Sequence, residues 1–292
     1  MPESVDVVVI LVDNNSTDTT AAVMRDSALP FAREIVFEAV PGLSNARNSG
    51  VACARRLGAS YTIFTDDDVE VSPRWLVEYT TSFVENPSTI VFGGPISPLF
   101  EVEPARWIKR NMPVFRGPFV MVDMGADNHF VDPALDTPFG ANMAFRTDHI
   151  PERPFDPDLG VSPGRRMGGE ETTLSRTMLS NHGTRWFYVA RAGVAHHLPK
   201  KIVRPDYIFM HCRAYGHFVT HVEQRSAHAL ARRSPPRWLI RAFVQTWVLR
   251  KALWPFRNYS GLYARLFCEE ATMRGQLDSY NTSSAKTETY DR

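Results

Sequence analysis

The chain has 292 residues, of which 43% are hydrophobic and 22% are charged. This length and composition suit one globular α/β domain with appendages and provide ample material for a core. The 33 basic and 32 acidic residues nearly cancel, so the overall charge favours neither nucleic acid nor another polyanion as a partner. We therefore expect no nucleic-acid partner.

The cysteines and the first residues bear on the compartment. The three cysteines are far apart and form no CxxC pair, which argues against a zinc site and a disulfide framework and favours a reducing compartment. The first apolar run, Val5 to Val12, is too short for a signal peptide or a membrane-spanning helix and follows no basic segment. We expect a cytoplasmic protein.

Strand and helix patterns alternate over the first third of the chain. Val5 to Val12 is a β-branched run typical of a buried strand, and the turn residues that follow it predict a helix start near Thr17. Strands are then predicted at Glu34–Phe37, Tyr61–Thr65 and Ile90–Phe92, and helices at Ser44–Leu57 and Pro73–Phe83. This order predicts an α/β fold with a Rossmann-like, mostly parallel central sheet and crossover helices.

The rest of the chain divides into three parts. Long loops are predicted over 95–137, followed by a strand at 139–146, a helix from Gly169, and strands at 185–190 and 193–196. Helical periodicity continues from about residue 204, and the end of the chain is polar without core residues. We predict a catalytic domain over 1–202, a helical extension over 203–276 and a disordered tail over 277–292.

Three consecutive aspartates, Asp66, Asp67 and Asp68, follow the predicted strand Tyr61–Thr65 directly. Ligands of such sheets bind at the carboxyl ends of the strands, where Asp13 also lies. Mg²⁺ and Mn²⁺ favour carboxylate oxygens together with substrate phosphates. The pattern is consistent with a metal or sugar-hydroxyl site and equally with a solvated acidic turn.

Other candidate residues are individually ambiguous. Glu170 and Glu171 follow two glycines at a predicted helix start, where a carboxylate could deprotonate a hydroxyl but where acidic residues also favour the helix dipole. His196 closes a strand and either packs structurally or serves as a metal ligand. Arg47 either meets a phosphate or a base, or lies on a solvated helix face.

Six short motifs occur in a fixed order along the chain. They are VDNNSTD (12–18), GLSNARNSG (42–50), FTDDDVEVSPRWL (64–76), FGANMAFR (139–146), GGEETTLSRTML (168–179) and VAHH (194–197). In spelling and spacing they resemble the family 2 glycosyltransferases, which are inverting enzymes with the A-type glycosyltransferase fold. The resemblance covers roughly residues 7 to 220 and rests on the order of the motifs, because DDD or GGE alone is common by chance.

The resemblance implies a nucleotide-diphosphate sugar, usually UDP-linked, over the carboxyl edge of the sheet. Asp13 would contact the uracil or the ribose, and Arg47 would lie near the base or the diphosphate. Gly140 and Asn142 would line the donor-sugar pocket. The acceptor would be a saccharide or a lipid-linked molecule.

The resemblance also implies a metal site for Mn²⁺ or Mg²⁺. Asp66 and Asp68 would form a DxD pair, with Asp68 the better metal ligand and Asp66 shared with the ribose. Asp67 would lie beside the nucleotide-sugar, and His196 would complete the metal site. The ion would neutralise charge on the departing nucleotide.

The catalytic base of the family is normally the Asp of a Glu-Asp pair, whereas this chain has Glu170 and Glu171 there. We assign Glu171 as the base and Glu170 to acceptor binding, in a single in-line displacement that inverts the anomeric configuration. Family members also begin with a strand-helix unit ahead of the VDNNSTD strand. We expect this chain to lack that unit.

The stretch from Gln224 to Cys268 carries nine Lys or Arg and no Asp or Glu. Aromatic and aliphatic residues interleave with these charges three and four positions apart. The pattern suits helices at an anionic membrane surface, peripheral on the inner face of the cell membrane, and equally helices that pack on the catalytic domain with a basic face in water. No stretch is long and apolar enough to span a bilayer.

Three other functions compete with glycosyl transfer. A sugar nucleotidyltransferase would need a Gly-rich basic loop after its first strand, and none is visible. A non-catalytic or truncated nucleotide-sugar-binding module would bind the donor without transfer. A metal-dependent phosphohydrolase built on the three aspartates would break down nucleotide-sugars without any acceptor.

Overall fold

The computed structural model describes residues 5–163, 165–226 and 234–281. They fall into two units. The sheet unit comprises 5–97, 122–163 and 169–196, and the helical unit comprises 98–121, 165–168 and the described residues from 197 onward.

The first half of the chain contains β1 (Val8–Asp13), α1 (Thr20–Asp26), β2 (Ala32–Phe37), α2 (Leu43–Arg56), β3 (Tyr61–Thr65), β4 (Val69–Val71), α3 (Trp75–Glu85), β5 (Val91–Gly93), β6 (Ile96–Phe100), α4 (Arg106–Lys109), β7 (His129–Val131) and β8 (Asn142–Arg146). The second half contains β9 (Val161–Ser162), β10 (Arg165–Arg166), α5 (Glu170–His182), β11 (Trp186–Tyr188), β12 (Val194–Leu198), α6 (Pro205–Ser226), α7 (Arg237–Leu253) and α8 (Gly261–Asn281). Helices and strands therefore alternate as predicted through β3, and the short strand β4, which was not predicted, comes before α3 and β5.

A five-stranded sheet in the order β3-β8-β5-β11-β7 forms the centre of the sheet unit. Strand β11 runs parallel to β5, whereas β8 runs antiparallel to both β3 and β5, and β7 runs antiparallel to β11. Strands β3, β5 and β11 consequently point in one direction, as predicted, but β8 separates β3 from β5. Strands β1 and β2 form a separate parallel pair, with Val8 opposite Ala32.

Aromatic side chains fill the core between α3 and the central sheet. Tyr79 and Phe83 lie one helical turn apart on α3 and pack against Phe92 and Phe187. The ring of Tyr61 on β3 stacks on Phe83, with ring centroids 3.9 Å apart. This packing fixes β3, whose last residue directly precedes the three aspartates.

In the helical unit, α6 and α8 lie in close contact because glycines face the opposing backbone. A Cβ atom at Gly216 would collide with the carbonyl oxygen of Thr272, and one at Gly275 would collide with the carbonyl oxygen of Arg213. The two glycines therefore let the two helix backbones approach each other closely.

The segment 98–121 belongs to the helical unit, although the sequence placed it within a catalytic domain over 1–202. Its aromatic residues explain the difference. Trp107 and Phe115 share a buried cluster with Tyr263 and Phe267 of α8, and the ring centroids of Trp107 and Tyr263 are 5.6 Å apart. The predicted limit at residue 202 otherwise stays a prediction.

The predicted disordered tail was wrong for residues 277–281, because α8 continues to Asn281. Polar contacts hold this last turn in place of apolar packing. Nε of Arg213 donates to Asp278 at 2.7 Å, and Nδ1 of His217 lies 2.8 Å from the hydroxyl of Ser279. Residues 282–292, and residues 227–233 of the predicted basic stretch, lie outside the described residues.

Candidate active site

The aspartates that follow β3 lie beside His196 of β12. Strand β12 runs antiparallel to β4, with His196 opposite Val69, so the histidine comes next to the residue that precedes β4. Nε2 of His196 lies 3.2 Å from Oδ1 of Asp68. Burial raises the pKa of Asp66, the nearby charge of Asp68 raises it further, and Arg47 and His196 lower it. The fold thus places Asp68 beside His196, and the charges of both act on Asp66.

These residues suit part of a Mn²⁺ or Mg²⁺ site. Two donor atoms 3.2 Å apart match neighbouring positions on an octahedral ion, because ligands at about 2.1 Å and at right angles are about 3.0 Å apart. The described residues contain no cluster of three or more His, Cys, Asp or Glu that could hold an ion alone. Such ions commonly complete their coordination with substrate phosphates and water, so the residues fit an ion that is bound together with the donor.

The buried side chain of Arg47 connects the two acidic motifs. Its Nη1 donates to Oε1 of Glu170 at 2.8 Å, and its Nη2 donates to Oδ1 of Asp66 at 3.4 Å. The guanidinium also lies over the ring of Phe155, 5.6 Å from the centroid. Arg47 is therefore committed to two carboxylates within the protein, a role that the sequence did not reveal. Its predicted contact with the base or diphosphate stays a prediction.

Two glycines make room for the pair formed by Arg47 and Glu170. A Cβ atom at Gly140 would collide with the Arg47 guanidinium. Gly160 has φ +80°, and a Cβ there would lie 2.9 Å from the Ser44 hydroxyl and 3.2 Å from Cδ of Glu170. Gly140, predicted to line the donor-sugar pocket, thus packs against Arg47, and Gly160 was missed because only the fold brings it to this place.

A carboxyl pair lies at the start of α5. Gly169, with φ 88°, precedes the helix, and Glu170 is its first residue. Glu170 is buried and Glu171 is half-buried. Burial raises the pKa of Glu171 to about 8, the adjacent charge of Glu170 contributes to this rise, and Arg47 opposes it.

The second carboxylate oxygen of Glu170 differs from the one that Arg47 contacts. Its Oε2 is buried and receives no hydrogen bond from an N–H or hydroxyl group in the described part of the chain. Hydrogen bonding between the Glu170 and Glu171 side chains is one of the smaller causes that raise the pKa of Glu171.

Asn142 has a different role from the predicted one. Its side chain is fully buried, and its Nδ2 donates to the carbonyl oxygens of Pro95 at 3.0 Å and Ala192 at 2.7 Å. Its Oδ1 accepts from the Trp75 indole at 2.9 Å and from the Tyr79 hydroxyl at 2.8 Å. The assignment of this side chain to the donor-sugar pocket was wrong, because protein groups use all of its hydrogen-bonding capacity.

The remaining predicted residues lie at strand ends. Asp13 ends β1, is buried, and accepts a hydrogen bond from the backbone N–H of Ser16 at 2.9 Å. Asp67 is exposed on the turn after β3. Their contacts with a nucleotide-sugar stay predictions.

The candidate site thus combines acidic residues and a histidine at strand ends with a carboxyl pair at a helix start. Residues 5–151, just over half of the chain, match the model of Glycosyl transferase family 2. The chain belongs to this family. The predicted fold class, an α/β domain of the A type with a C-terminal helical extension, is confirmed.

Several solved structures are similar to the chain at low identity. GalNAc-T7 with UDP, GalNAc and Mn²⁺ shares 14% identity at a TM-score of 0.48, over 74% of this chain and 41% of that chain. The mannosyltransferase PcManGT from Pyrobaculum calidifontis, in complex with GDP-Man and Mn²⁺, shares 16% at 0.46, over 89% and 76%. TarS 1-349 from S. aureus in complex with UDP shares 13% at 0.47, over 94% and 82%. No curated protein sequence matches the chain, which spans less than half the length of the GalNAc-T7 structure.

Proposed function

We propose that this protein transfers a sugar from a nucleotide-diphosphate sugar, UDP-linked, to an acceptor hydroxyl with inversion at the anomeric carbon. Beyond membership of the family, one contact in the structure supports this proposal. Arg47 joins the carboxyl pair that starts α5 to the aspartates that follow β3. The carboxyl pair that contains the proposed base and the aspartates proposed to bind the metal thus share one buried cation.

Glu171 is the general base of this proposal. A base works best when its pKa lies near the working pH, and the pKa of Glu171 is raised to about 8. Its carboxylate removes the proton from the acceptor hydroxyl while the hydroxyl oxygen attacks the anomeric carbon. The bond from that carbon to the diphosphate oxygen breaks, and its electron pair leaves with the nucleotide diphosphate.

Glu170 acts on Glu171 in place of the acceptor-binding role first assigned to it. Arg47 holds Oε1 of Glu170 at 2.8 Å, and the charge of Glu170 raises the pKa of the neighbouring Glu171 carboxyl. Glu170 is thus a positioning residue.

Asp66, Asp68 and His196 would hold Mn²⁺ or Mg²⁺ together with the donor diphosphate. The bound ion supplies Lewis-acid stabilisation of the leaving group. Asp68 is half exposed, with 52% of its side-chain surface accessible, so it can reach a ligand that arrives from solvent. Asp66, which Arg47 contacts, is the partly buried member of the pair and would share the ribose.

The acceptor is a saccharide or a lipid-linked molecule, and the reaction takes place in the cytoplasm. The acceptor class and the compartment are those expected from the resemblance to the family. Neither Asp13 nor Arg47 identifies the nucleotide base by its contacts, so the choice of UDP is tested directly by comparing donors.

The test begins with thermal-shift assays of nucleotide-sugars in the presence of Mn²⁺, followed by transfer to a panel of acceptors. Glu171→Gln should retain donor binding and lose transfer by about 10²–10⁴-fold, and NMR of the product should show an inverted anomeric centre. Donor breakdown without an acceptor, and no transfer with one, would identify a phosphohydrolase. Donor binding without either reaction would identify a binding module. If Glu170→Gln is inactive and Glu171→Gln is nearly normal, the two roles are exchanged.

A further inference from the structure

The apolar face of α7 points outward. Leu239 and Thr246 are the buried residues of this helix. Ile240, Val244, Trp247 and Val248 lie three or four positions apart and form one stripe, yet between 45% and 51% of the surface of each is exposed. A helix of a folded domain normally turns such a stripe towards the core. The stripe on α7 therefore faces solvent.

Positive charges border this stripe. Arg237, Arg241 and Lys251 are exposed and follow the same helical spacing, and Nζ of Lys251 lies 6.0 Å from the centroid of the Trp247 ring. The stretch 234–268 contains six Lys or Arg and no Asp or Glu. Glu270 of α8 lines a cavity together with Trp247, but it is buried in an ion pair with Arg250, so the exposed charges named here beside the stripe are positive.

The turn after α7 continues the same composition. Trp254, Phe256 and Tyr259 are exposed by 51%, 61% and 74%. The Arg257 guanidinium lies 4.2 Å from the Trp254 ring centroid, and that of Arg106 lies 5.5 Å from the Tyr259 ring centroid. Aromatic rings beside cations are typical of protein surfaces that lie at the headgroup level of a membrane.

We propose that these residues form a membrane-docking surface that binds a bilayer containing anionic lipid. The surface consists of Ile240, Val244, Trp247, Val248, Trp254, Phe256 and Tyr259 with Arg237, Arg241, Lys251 and Arg257. The apolar side chains insert at the headgroup boundary while the Lys and Arg side chains contact lipid phosphates. None of the described helices is long and apolar enough to cross a membrane, so the attachment is peripheral.

The charge pattern favours a bilayer over a second copy of the chain. In a two-fold dimer the same patch meets itself, and the bordering Arg237, Arg241 and Lys251 would then face cations of the other copy. Like charges brought together across an interface oppose association. A bilayer that contains anionic lipid can bury the apolar stripe and bind its cationic border at the same time.

The experiment is co-sedimentation of the full chain with vesicles of phosphatidylcholine alone or mixed with phosphatidylglycerol, at low and high salt. The protein should pellet with the anionic vesicles at low salt and less at high salt, because salt screens the attraction. Trp247→Ser with Val248→Ser should lower partitioning by about tenfold. Arg241→Gln with Lys251→Gln should lower it by roughly fivefold for each charge removed.

The control variant carries Val84→Ser and Leu135→Ser, which change two apolar residues of the sheet unit with 70% and 82% exposure, and it should pellet like the unchanged protein. Circular dichroism melts establish that all variants are folded.

The proposal is overturned if the unchanged protein stays in the supernatant with both vesicle types, or if the control variant loses as much binding. It is equally overturned if sedimentation equilibrium shows a dimer that Trp247→Ser with Val248→Ser dissociates while vesicles bind nothing. Transfer to a soluble acceptor should be equal in all variants, so the result is independent of the proposed reaction.

Discussion

Arg47 and Glu170 are 123 residues apart in the chain and form an ion pair in which Nη1 lies 2.8 Å from Oε1. Only 8% of the Arg47 side chain and 4% of the Glu170 side chain are accessible to solvent. A buried pair of this kind contributes little net stability relative to apolar side chains, but removal of one partner leaves an uncompensated buried charge. Loss of Arg47 should therefore destabilise the sheet unit and also change the surroundings of the carboxyl pair formed by Glu170 and Glu171.

Arg47→Met should lower the free energy of unfolding by about 3–5 kcal/mol, because it leaves Glu170 buried without its cation. Urea denaturation measures this change. Arg56→Gln is the matched control, since Arg56 pairs with Glu34 at 3.2 Å but has 62% of its side chain exposed, and it should leave the free energy of unfolding almost unchanged. Adding Glu170→Leu to Arg47→Met should restore part of the loss, and equal losses in the single and double variants would contradict a coupled pair.

The rate of transfer should rise with pH towards a plateau near pH 8. The pKa of Glu171 is raised from 4.5 to about 8, so the active carboxylate form increases about tenfold per pH unit below that value. A pH profile of kcat measures this rise. Glu170→Gln removes the adjacent charge and should move the profile to lower pH, whereas a profile without pH dependence between about pH 6 and 8 would contradict Glu171 as the base.

The same pKa shift predicts how stability depends on pH. In the folded state Glu171 holds its proton more tightly than in the unfolded state, so its contribution to stability is fully present below about pH 4.5. The contribution is lost as the pH rises through about 8. The free energy of unfolding should therefore fall over this window by more in the unchanged protein than in Glu171→Gln.

Asp68→Ala should abolish Mn²⁺-dependent binding of the nucleotide-sugar and leave the fold intact, since Asp68 is half exposed. Isothermal titration calorimetry with and without Mn²⁺ measures the effect. Glu85→Ala removes an exposed carboxylate at the end of α3, away from the predicted site, and is the control for the loss of one negative charge. Unchanged affinity in Asp68→Ala would remove this residue from the metal site.

The positions of the acidic residues could be predicted from the sequence because their signal is local. Asp66 to Asp68 directly follow a strand, and the glycines before Glu170 mark a helix start, so both motifs can be placed from neighbours in the chain. Asp68 and His196 are indeed 3.2 Å apart. Their proximity depends on the pairing of β4 with β12, which the sequence did not predict, but both had been assigned to one site by the order of the motifs.

The errors concern contacts between distant segments. Asn142 was predicted to line the sugar pocket because it follows Gly140 in a motif. Its amide group instead donates hydrogen bonds to the carbonyl oxygens of Pro95 and Ala192, which come from other parts of the chain. Strand β8 lies antiparallel between β3 and β5, and no local periodicity specifies the neighbours of a buried strand. For the same reason Trp107 was placed in a loop of the catalytic domain, although its ring packs on α8.

Gly140→Ala should disrupt the site through Arg47. The added Cβ would lie 2.9 Å from Cζ of Arg47, closer than two such atoms can approach. An arginine could normally swing aside at little cost, but this guanidinium is buried and bound to Glu170 and Asp66, so moving it weakens both ion pairs. We expect a loss of about 1–3 kcal/mol in the free energy of unfolding, together with a lower rate of transfer.

The matched control for this change is Gly117→Ala. No atom lies within 4 Å of a Cβ built at Gly117, so the variant should unfold like the unchanged protein. A double variant then tests the cause: once Arg47→Met has removed the guanidinium, Gly140→Ala should have almost no further effect, since the clash that it creates no longer exists. If Gly140→Ala destabilises both backgrounds equally, the glycine is needed for its backbone alone, and the contact with Arg47 does not explain its presence.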